Sequence, residues 1–313
     1  MNKLIVSSSP HVRSRNSTTG IMLDVIIALV PAIVASNLIF GVGSLLLTAV
    51  CVASCVVFEY LIRKIMKRDT TIGDLSAVVT GVLLSLNLPA GFPLWMAVVG
   101  CAFAIIVAKQ LFGGIGQNFV NPAIAGRIFL MISFATPMTT WLNPFHYQLG
   151  VDELASATPL ATMAAGSDAL PSITDMLLGI RPGSMGETCV IALLIGFVYL
   201  VLRRVINPII PVTFVGTVAL LSWAFGANPL YQVLSGGLLL GAIFMATDYA
   251  TSPISRWGKV IFGAGCGFFT VVFRLFASYP EGVSFAILLM NIITPYIDMY
   301  VKPKPFGGAV IEK

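Results

Sequence analysis

The residues most suited to chemistry lie in one hydrophilic stretch, Asp152-Glu153-Leu154-Ala155-Ser156-Ala157-Thr158-Pro159-Leu160-Ala161-Thr162. Its hydroxyl and carboxyl side chains stand out in a chain that is otherwise strongly apolar. Residue types alone favour a structural role for Thr158, which suits the N-cap of a helix with Pro159 at the first helical position. The surrounding sequence must therefore decide whether this hydroxyl does more than cap a helix.

Three acidic residues, Asp24, Glu59 and Asp298, lie within long apolar runs. Ionisable side chains inside a membrane often mark paths for ions or protons. Each of the three lies near the end of its run, where water can solvate a carboxylate. Their positions favour interfacial carboxylates over a coupling-ion site.

The cysteines do not form a disulfide or metal-binding pattern. None is in a CxxC pair, and all lie in or beside apolar runs: Cys51, Cys55, Cys101, Cys189 and Cys266. Cys51 and Cys55 are one helical turn apart, which is compatible with a metal or cluster ligand pair. Their apolar surroundings favour small buried residues at a helix contact, so no metal site is predicted.

The composition indicates an all-α integral membrane protein, a single polytopic domain over residues 1–313. The chain is 57% hydrophobic and only 10% charged, whereas soluble domains contain about 25% charged residues. Its net charge of +5 comes from basic residues that flank apolar segments rather than covering one face. That distribution excludes nucleic acid as a partner and indicates a lipid bilayer.

The apolar runs predict about ten transmembrane helices. A span needs about 20 mostly apolar residues, and the candidates are 21–40, 43–62, 73–88, 93–110, 122–136, 187–203, 208–225, 230–247, 259–277 and 282–300. The third and fifth are short, and the third contains Ser76, Thr80 and Asn87. Interrupted helices of this kind line binding sites in membrane proteins.

The distribution of lysine and arginine predicts the orientation. With both termini in the cytoplasm, ten crossings place nearly all basic residues inside: Arg63, Lys64, Lys67, Arg68, Lys109, Arg203, Arg204, Arg256, Lys259, Lys302, Lys304 and Lys313. Arg127, early in the fifth span, is expected near the inner face. Only Arg181 falls in an outer loop, with Arg274 near the outer end of the ninth span. The long loop 136–187, with Thr158, is then outside.

A weak internal repeat accompanies this topology. Residues 100–103, Gly-Cys-Ala-Phe, resemble residues 265–268, Gly-Cys-Gly-Phe, and the same spacing aligns Lys109 with Arg274. Because each half would contain an odd number of spans, the halves must have opposite orientations. This predicts a five-plus-five inverted repeat with a site near the interface of the halves.

Five stretches in order resemble one family of membrane subunits. Besides the Thr158 segment they are Leu88-Pro89-Ala90-Gly91-Phe92-Pro93, the run from Lys109 to Ala123 (KQLFGGIGQNFVNPA), the run from Phe244 to Pro253 (FMATDYATSP), and the run from Pro280 to Ala286 (PEGVSFA). The chain resembles the RnfD/NqrB family, whose members belong to the Rnf ferredoxin–NAD oxidoreductase and the sodium-pumping NADH–quinone reductase. The resemblance covers nearly the whole chain and is closest to RnfD, because only a short segment precedes residue 21.

The resemblance implies a covalent flavin. In that family a flavin transferase esterifies the phosphate of FMN to the last threonine of an S-G-A-T-like segment, here Thr158. Ala155-Ser156 departs from the hydroxyl-then-glycine pattern. Some members hold a second, non-covalent flavin. The expected cofactor-binding residues beside Thr158 are Asp152, Ser156, Ala157, Pro159, Leu160, Asn118, Asn121, Arg127, Thr247 and Asp248, with the Asn121 and Asp248 regions as equivalent loops around a common site.

By resemblance, the chain is a flavin-carrying subunit of an ion-translocating electron-transfer complex in the bacterial cytoplasmic membrane. It is not expected to be active alone. No dinucleotide-binding fingerprint or ferredoxin-type cysteine run is present, so NAD and iron–sulfur clusters are expected in partner subunits. The alternatives are the B subunit of the quinone reductase, a small-solute channel or transporter without flavin, and a scaffold subunit without cofactor.

Overall fold

The computed structural model describes residues 17–149, 156–165, 170–277 and 281–302, which contain helices and no β-strand. The helices are α1 (Thr18–Phe40), α2 (Val42–Ile65), α3 (Ser76–Leu86), α4 (Leu94–Gln110, a π-helix from Phe103), α5 (Pro122–Ser133), α6 (Ala135–Thr139), α7 (His146–Leu149), α8 (Pro159–Ala164), α9 (Ile173–Leu178), α10 (Val190–Leu202), α11 (Ile209–Ala224), α12 (Pro229–Leu234), α13 (Leu238–Leu240, continuing as the π-helix Gly241–Met245), α14 (Arg256–Phe276) and α15 (Val283–Tyr300).

Four of these helices are long and apolar enough to cross a membrane, namely α1, α2, α14 and α15. Shorter apolar helices accompany them: α3, α4, α5, α10 and α11. Large apolar side chains are exposed along the long helices, among them Val34, Leu38 and Leu46. Such faces are unfavourable in water and suited to lipid, and the all-helical membrane fold is therefore confirmed.

The predicted span 230–247 is wrong as a continuous helix. It divides into α12 and α13 at Ser235–Gly237, because Gly236 and Gly237 both adopt φ +66. Two successive residues in the left-handed region cannot continue a right-handed helix. A hydropathy pattern does not reveal this break, since the apolar run is uninterrupted on either side of the glycines.

Close helix contacts are made at glycines, as is usual for membrane helices. A Cβ at Gly81 of α3 would lie 2.7 Å from the Val52 Cα of α2. A Cβ at Gly196 of α10 would lie 2.3 Å from the Ala28 carbonyl oxygen of α1. The contacts between α1 and α10, and between α5 and α15, join the first half of the chain to the second.

The two cations aligned by the internal repeat both donate to a residue near the start of a short helix. Lys109 of α4 donates to Ser76 Oγ at the first residue of α3, at 2.6 Å. Arg274 of α14 donates to the Ser235 carbonyl oxygen, at 2.8 Å, just before α13.

Candidate functional site

Thr158 is the N-cap of α8, as its residue type predicts. Its Oγ accepts a hydrogen bond from the Ala161 amide at 3.3 Å, and the residue is only 4% exposed. Ser156 Oγ is buried and has no hydrogen-bond partner among the described residues. Ala157 is exposed and Pro159 is buried. Asp152 lies outside the described residues.

Leu160 fixes the position of this short helix against the break between α12 and α13. A Cβ at Gly236 would lie 2.2 Å from Leu160 Cδ1 and 2.7 Å from Arg274 Nη2. Only a glycine therefore allows the leucine and the guanidinium to meet at this point. The contact brings the Thr158 segment next to a group of buried charges.

We call this group the arginine cluster; it comprises Arg127, Arg181, Arg274, Glu187 and Glu281. Arg127 donates from Nη2 to Glu281 Oε2 at 2.8 Å. Arg274 donates to the carbonyl oxygens of the residues that form the turn before α13, at 2.8 Å and 3.3 Å from Nη2. Guanidinium groups from two helices thus meet at one turn of backbone.

Arg181 and Glu187 close the cluster from the segment before α10. Arg181 donates to the Glu187 carbonyl oxygen at 2.8 Å and to Ser235 Oγ at 3.3 Å. Glu187 Oε2 accepts from Ser184 Oγ at 2.8 Å and would lie 3.1 Å from a Cβ at Gly237. Arg181, Arg274 and Glu187 therefore all lie against the turn from Ser235 to Gly237.

The arginine cluster has an excess of positive charge. Three guanidinium groups, which stay protonated in proteins, face two carboxyl groups. Burial, reinforced by the neighbouring Glu187, raises the pKa of Glu281 to about 8, which reduces the negative charge further. The Nε atoms of Arg127, Arg181 and Arg274 are buried without hydrogen-bond partners in the described part of the chain. Guanidinium groups in excess over carboxylates, with free donors, suit an anion such as a phosphate.

A second polar site lies in a cavity of about 100 Å³ that Asn118, Asn121, Thr247 and Asp248 line. Asn118 Nδ2 donates to Asp248 Oδ2 at 3.5 Å, and Asn121 Nδ2 donates to the Met245 carbonyl oxygen at 3.3 Å. Burial raises the pKa of Asp248, although hydrogen bonds from Thr251 and Asn118 oppose the shift. The structure thus brings these four predicted residues together in one cavity, whose lining does not include Thr158.

Arg127 does not belong to this cavity. It contacts Glu281, in the connection between α14 and α15. Arg127 instead belongs to the arginine cluster, which the Thr158 segment contacts through Leu160.

Comparison with known proteins identifies the family. The model of the NQR2, RnfD, RnfE family matches residues 5–307. The chain belongs to the NQR2, RnfD, RnfE family. This confirms the resemblance found in the five sequence stretches.

Relatives within the family are similar over nearly their whole length. The chain is 46% identical to the D subunit of the Na(+)-translocating ferredoxin:NAD(+) oxidoreductase complex of Acetobacterium woodii, over 99% of this chain and 97% of the relative. It is 42% identical to the D subunit of the proton-translocating ferredoxin:NAD(+) oxidoreductase complex of Clostridium ljungdahlii, over 98% and 97%. It is 36% identical to the D subunit of an ion-translocating oxidoreductase complex of Escherichia coli, over 96% and 98%.

Some residues that connect the two sites of this family member were not predicted. Asn87 accepts from Arg127 Nη1 at 2.8 Å and donates to Met245 Sδ at 3.7 Å, so it lies between the arginine cluster and the cavity. Glu187 and Glu281 were also missed as charged partners. The sequence did contain a signal for these pairs. Arg181 and Arg274 were the exceptions to the charge asymmetry, and Glu187 and Glu281 lie beside the same predicted outer ends of the spans.

Proposed function

We propose that this chain is the flavin-carrying D subunit of an Rnf-type complex, with FMN esterified to Thr158. Its relatives are subunits of ion-translocating oxidoreductase complexes that act on ferredoxin and NAD. A membrane chain in such a complex needs a redox group to pass electrons. The Thr158 hydroxyl, in the flavin-attachment segment, is the point at which this chain would hold one.

The observation that carries the proposal is the arginine cluster beside the Thr158 helix. A phosphodiester carries a single negative charge at neutral pH, and the cluster has at least one positive charge in excess. The Nε atoms of the three arginines, which have no partner among the described residues, are further donors in this cluster. The charge of the residues present therefore fits the phosphate of FMN.

The roles of the chain's own residues follow from their contacts. Thr158 would anchor the phosphate, and Ser156, whose buried hydroxyl has no partner among the described residues, would donate to it. Leu160 keeps the helix seated on Gly236, and Arg274 holds the turn beneath. Bound FMN would supply one- and two-electron chemistry, while the protein sets its orientation and electrostatic surroundings.

The proposal includes the finer topology. Ten crossings in a five-plus-five inverted repeat, with both termini in the cytoplasm, would place Thr158 on the outer face of a bacterial cytoplasmic membrane. Lys109 and Arg274, which the repeat aligns, each donate to a residue near the start of a short helix, and this supports the repeat. Partner subunits would carry the iron–sulfur and NAD sites, and a flavin transferase would attach FMN. The proposal includes a second, non-covalent flavin, as in some members of the family, without assigning its site.

Covalent flavin is tested by fluorescence of the denatured protein on a gel after co-expression with a flavin transferase. Thr158→Ala is expected to abolish the signal, because the acceptor oxygen is gone. Thr158→Ser retains that oxygen and is expected to keep part of the signal. Thr162→Ala is the matched control: its hydroxyl only donates to the Pro159 carbonyl oxygen in the same helix, at 2.9 Å. A wild-type protein without fluorescence would contradict the proposal.

A small-solute transporter is the second candidate function. The polar cavity lined by Asn118, Asn121 and Asp248 favours it, since such sites in transporters lie at the interface of inverted repeats. A non-fluorescent wild-type protein would favour this function or a scaffold role. The B subunit of the quinone reductase has a different electron acceptor, and reduction of a quinone by the purified complex would distinguish it.

A further inference from the structure

The loop between α4 and α5 contains polar groups that have no hydrogen-bond partner in the described part of the chain. Gly113, Gly114 and Gly116 adopt φ values of +125, +104 and +82, so the loop folds in a way that favours glycine. The Gln110 side chain at its start is fully buried, and neither its amide nitrogen nor its oxygen has a hydrogen-bond partner among the described residues. Arg63 Nε of α2 is buried and unpaired in the same sense.

These groups converge on the bare face of Gly114. A Cβ there would lie 2.8 Å from Arg63 Nη2 and 3.6 Å from Gln110 Oε1. Arg68 also reaches the loop and donates to the Gln110 carbonyl oxygen at 3.2 Å. We call Arg63, Arg68, Gln110 and Gly114 the headgroup pocket.

The headgroup pocket has positive charge without a matching carboxylate. Arg63 donates to the Asp69 carbonyl oxygen at 2.7 Å, and neither Arg63 nor Arg68 forms an ion pair in the described ranges. The nearby Lys109 is committed to Glu59 at 2.7 Å. Two guanidinium groups with spare donors, beside an amide that both donates and accepts, suit a phosphate group.

An apolar groove begins at the same loop. Phe112 and Phe119, whose ring centroids are 4.6 Å apart, lie at its mouth. The groove has a volume of about 520 Å³ and runs between α4, α5 and α15, lined by Phe103, Val107, Ala125, Phe129, Leu288 and Ile292. Several of its side chains are exposed, among them Phe112 and Ile292. A hydrocarbon chain fits such a lining, whereas a free phosphate or nucleotide has no use for it.

We propose that the loop of residues 110–119 binds one anionic phospholipid, with its phosphate in the headgroup pocket and an acyl chain in the apolar groove. The pocket and the groove lie on one short loop, so a single amphiphile satisfies both. A zwitterionic lipid adds an ammonium group, which Arg63 and Arg68 repel. The site therefore selects for a negatively charged headgroup.

The test is lipid retention by the purified complex, measured by native mass spectrometry after supplying equal amounts of phosphatidylglycerol and phosphatidylethanolamine. The wild type is expected to retain phosphatidylglycerol in preference. Arg63→Gln removes a charge-assisted contact and is expected to lower retention by about tenfold. Lys64→Gln, the matched control, removes an exposed charge of the same helix and is expected to leave retention within about twofold.

Two further variants keep the test decisive if Arg63→Gln fails to fold. Arg68 is exposed, so Arg68→Gln should fold and still reduce the preference for phosphatidylglycerol. Ala125→Leu fills the groove without altering charge and is expected to reduce retention of both lipids. Equal retention of the two lipids by the wild type, or unchanged retention in Arg68→Gln and Ala125→Leu, would overturn the proposal. The proposal would also be overturned if a photoreactive residue placed at position 112 crosslinked to a sibling subunit instead of to lipid.

Discussion

Individual buried charges in this chain fall into two kinds that differ in how completely they are paired. Lys109 and Glu59 form an ion pair at 2.7 Å. Thr71 Oγ1 donates to the other oxygen of Glu59 at 2.8 Å, and Lys109 also donates to Ser76 Oγ at 2.6 Å. The arginine cluster, in contrast, keeps donors that have no partner among the residues the structure describes. Burying a charge is costly unless it is matched, so the unmatched cluster marks the place where a further anion is expected.

Glu281 provides a pH test of the arginine cluster. Its pKa is raised from 4.5 to about 8, chiefly by burial, so between these values the folded protein holds a proton that the unfolded chain releases. The free energy of unfolding should therefore fall as pH rises through that window and level off above it. In Glu281→Gln the group cannot titrate, and the Tm measured in detergent should decline less between pH 5 and pH 8. Parallel Tm profiles for the two proteins would contradict this assignment.

Local elements were predictable where a residue type has a local physical reason. Thr158 and Asn121 precede prolines and cap helices, as their side chains favour. The turn at Gly236 was not predictable, because its left-handed backbone is selected by Leu160 and Arg274 from distant parts of the sequence. The pairing of Lys109 with Glu59 was hidden for the same reason, since it depends on how α2 and α4 pack.

Gly236→Ala tests whether this turn seats the Thr158 helix. A methyl group there would meet Leu160 Cδ1 at 2.2 Å and Arg274 Nη2 at 2.7 Å, on a backbone with φ +66. We expect a loss of about 2–3 kcal/mol in stability and weaker covalent flavin fluorescence on a gel. Gly216→Ala on α11 is the control, because nothing lies within 4 Å of its added Cβ. Equal stability and fluorescence in both variants would show that the turn does not position α8.

Across the whole molecule, the charge asymmetry and its exceptions have separate physical origins. Basic flanks such as Lys64 and Lys302 are exposed at helix ends, where they predict sidedness. Arg181 and Arg274 are buried in the arginine cluster and bonded to backbone and side-chain oxygens, so they do not oppose that orientation. Membrane class and family were therefore predictable from composition and motifs, whereas convergence of distant charges required the packed helices.

Sidedness is tested by single cysteines and an impermeant maleimide in intact cells. Ala165, at the end of α8, is exposed and predicted outside, whereas Lys64 and Lys302 are exposed and predicted inside. Ala165→Cys should label directly, and Lys64→Cys and Lys302→Cys only after permeabilisation. The background should be low in a Cys189→Ser chain, because the other native cysteines are buried. Labelling of Ala165→Cys and Lys64→Cys from the same side would require an even number of crossings between α2 and α8, and so would refute the arrangement that puts the flavin loop opposite the basic flanks.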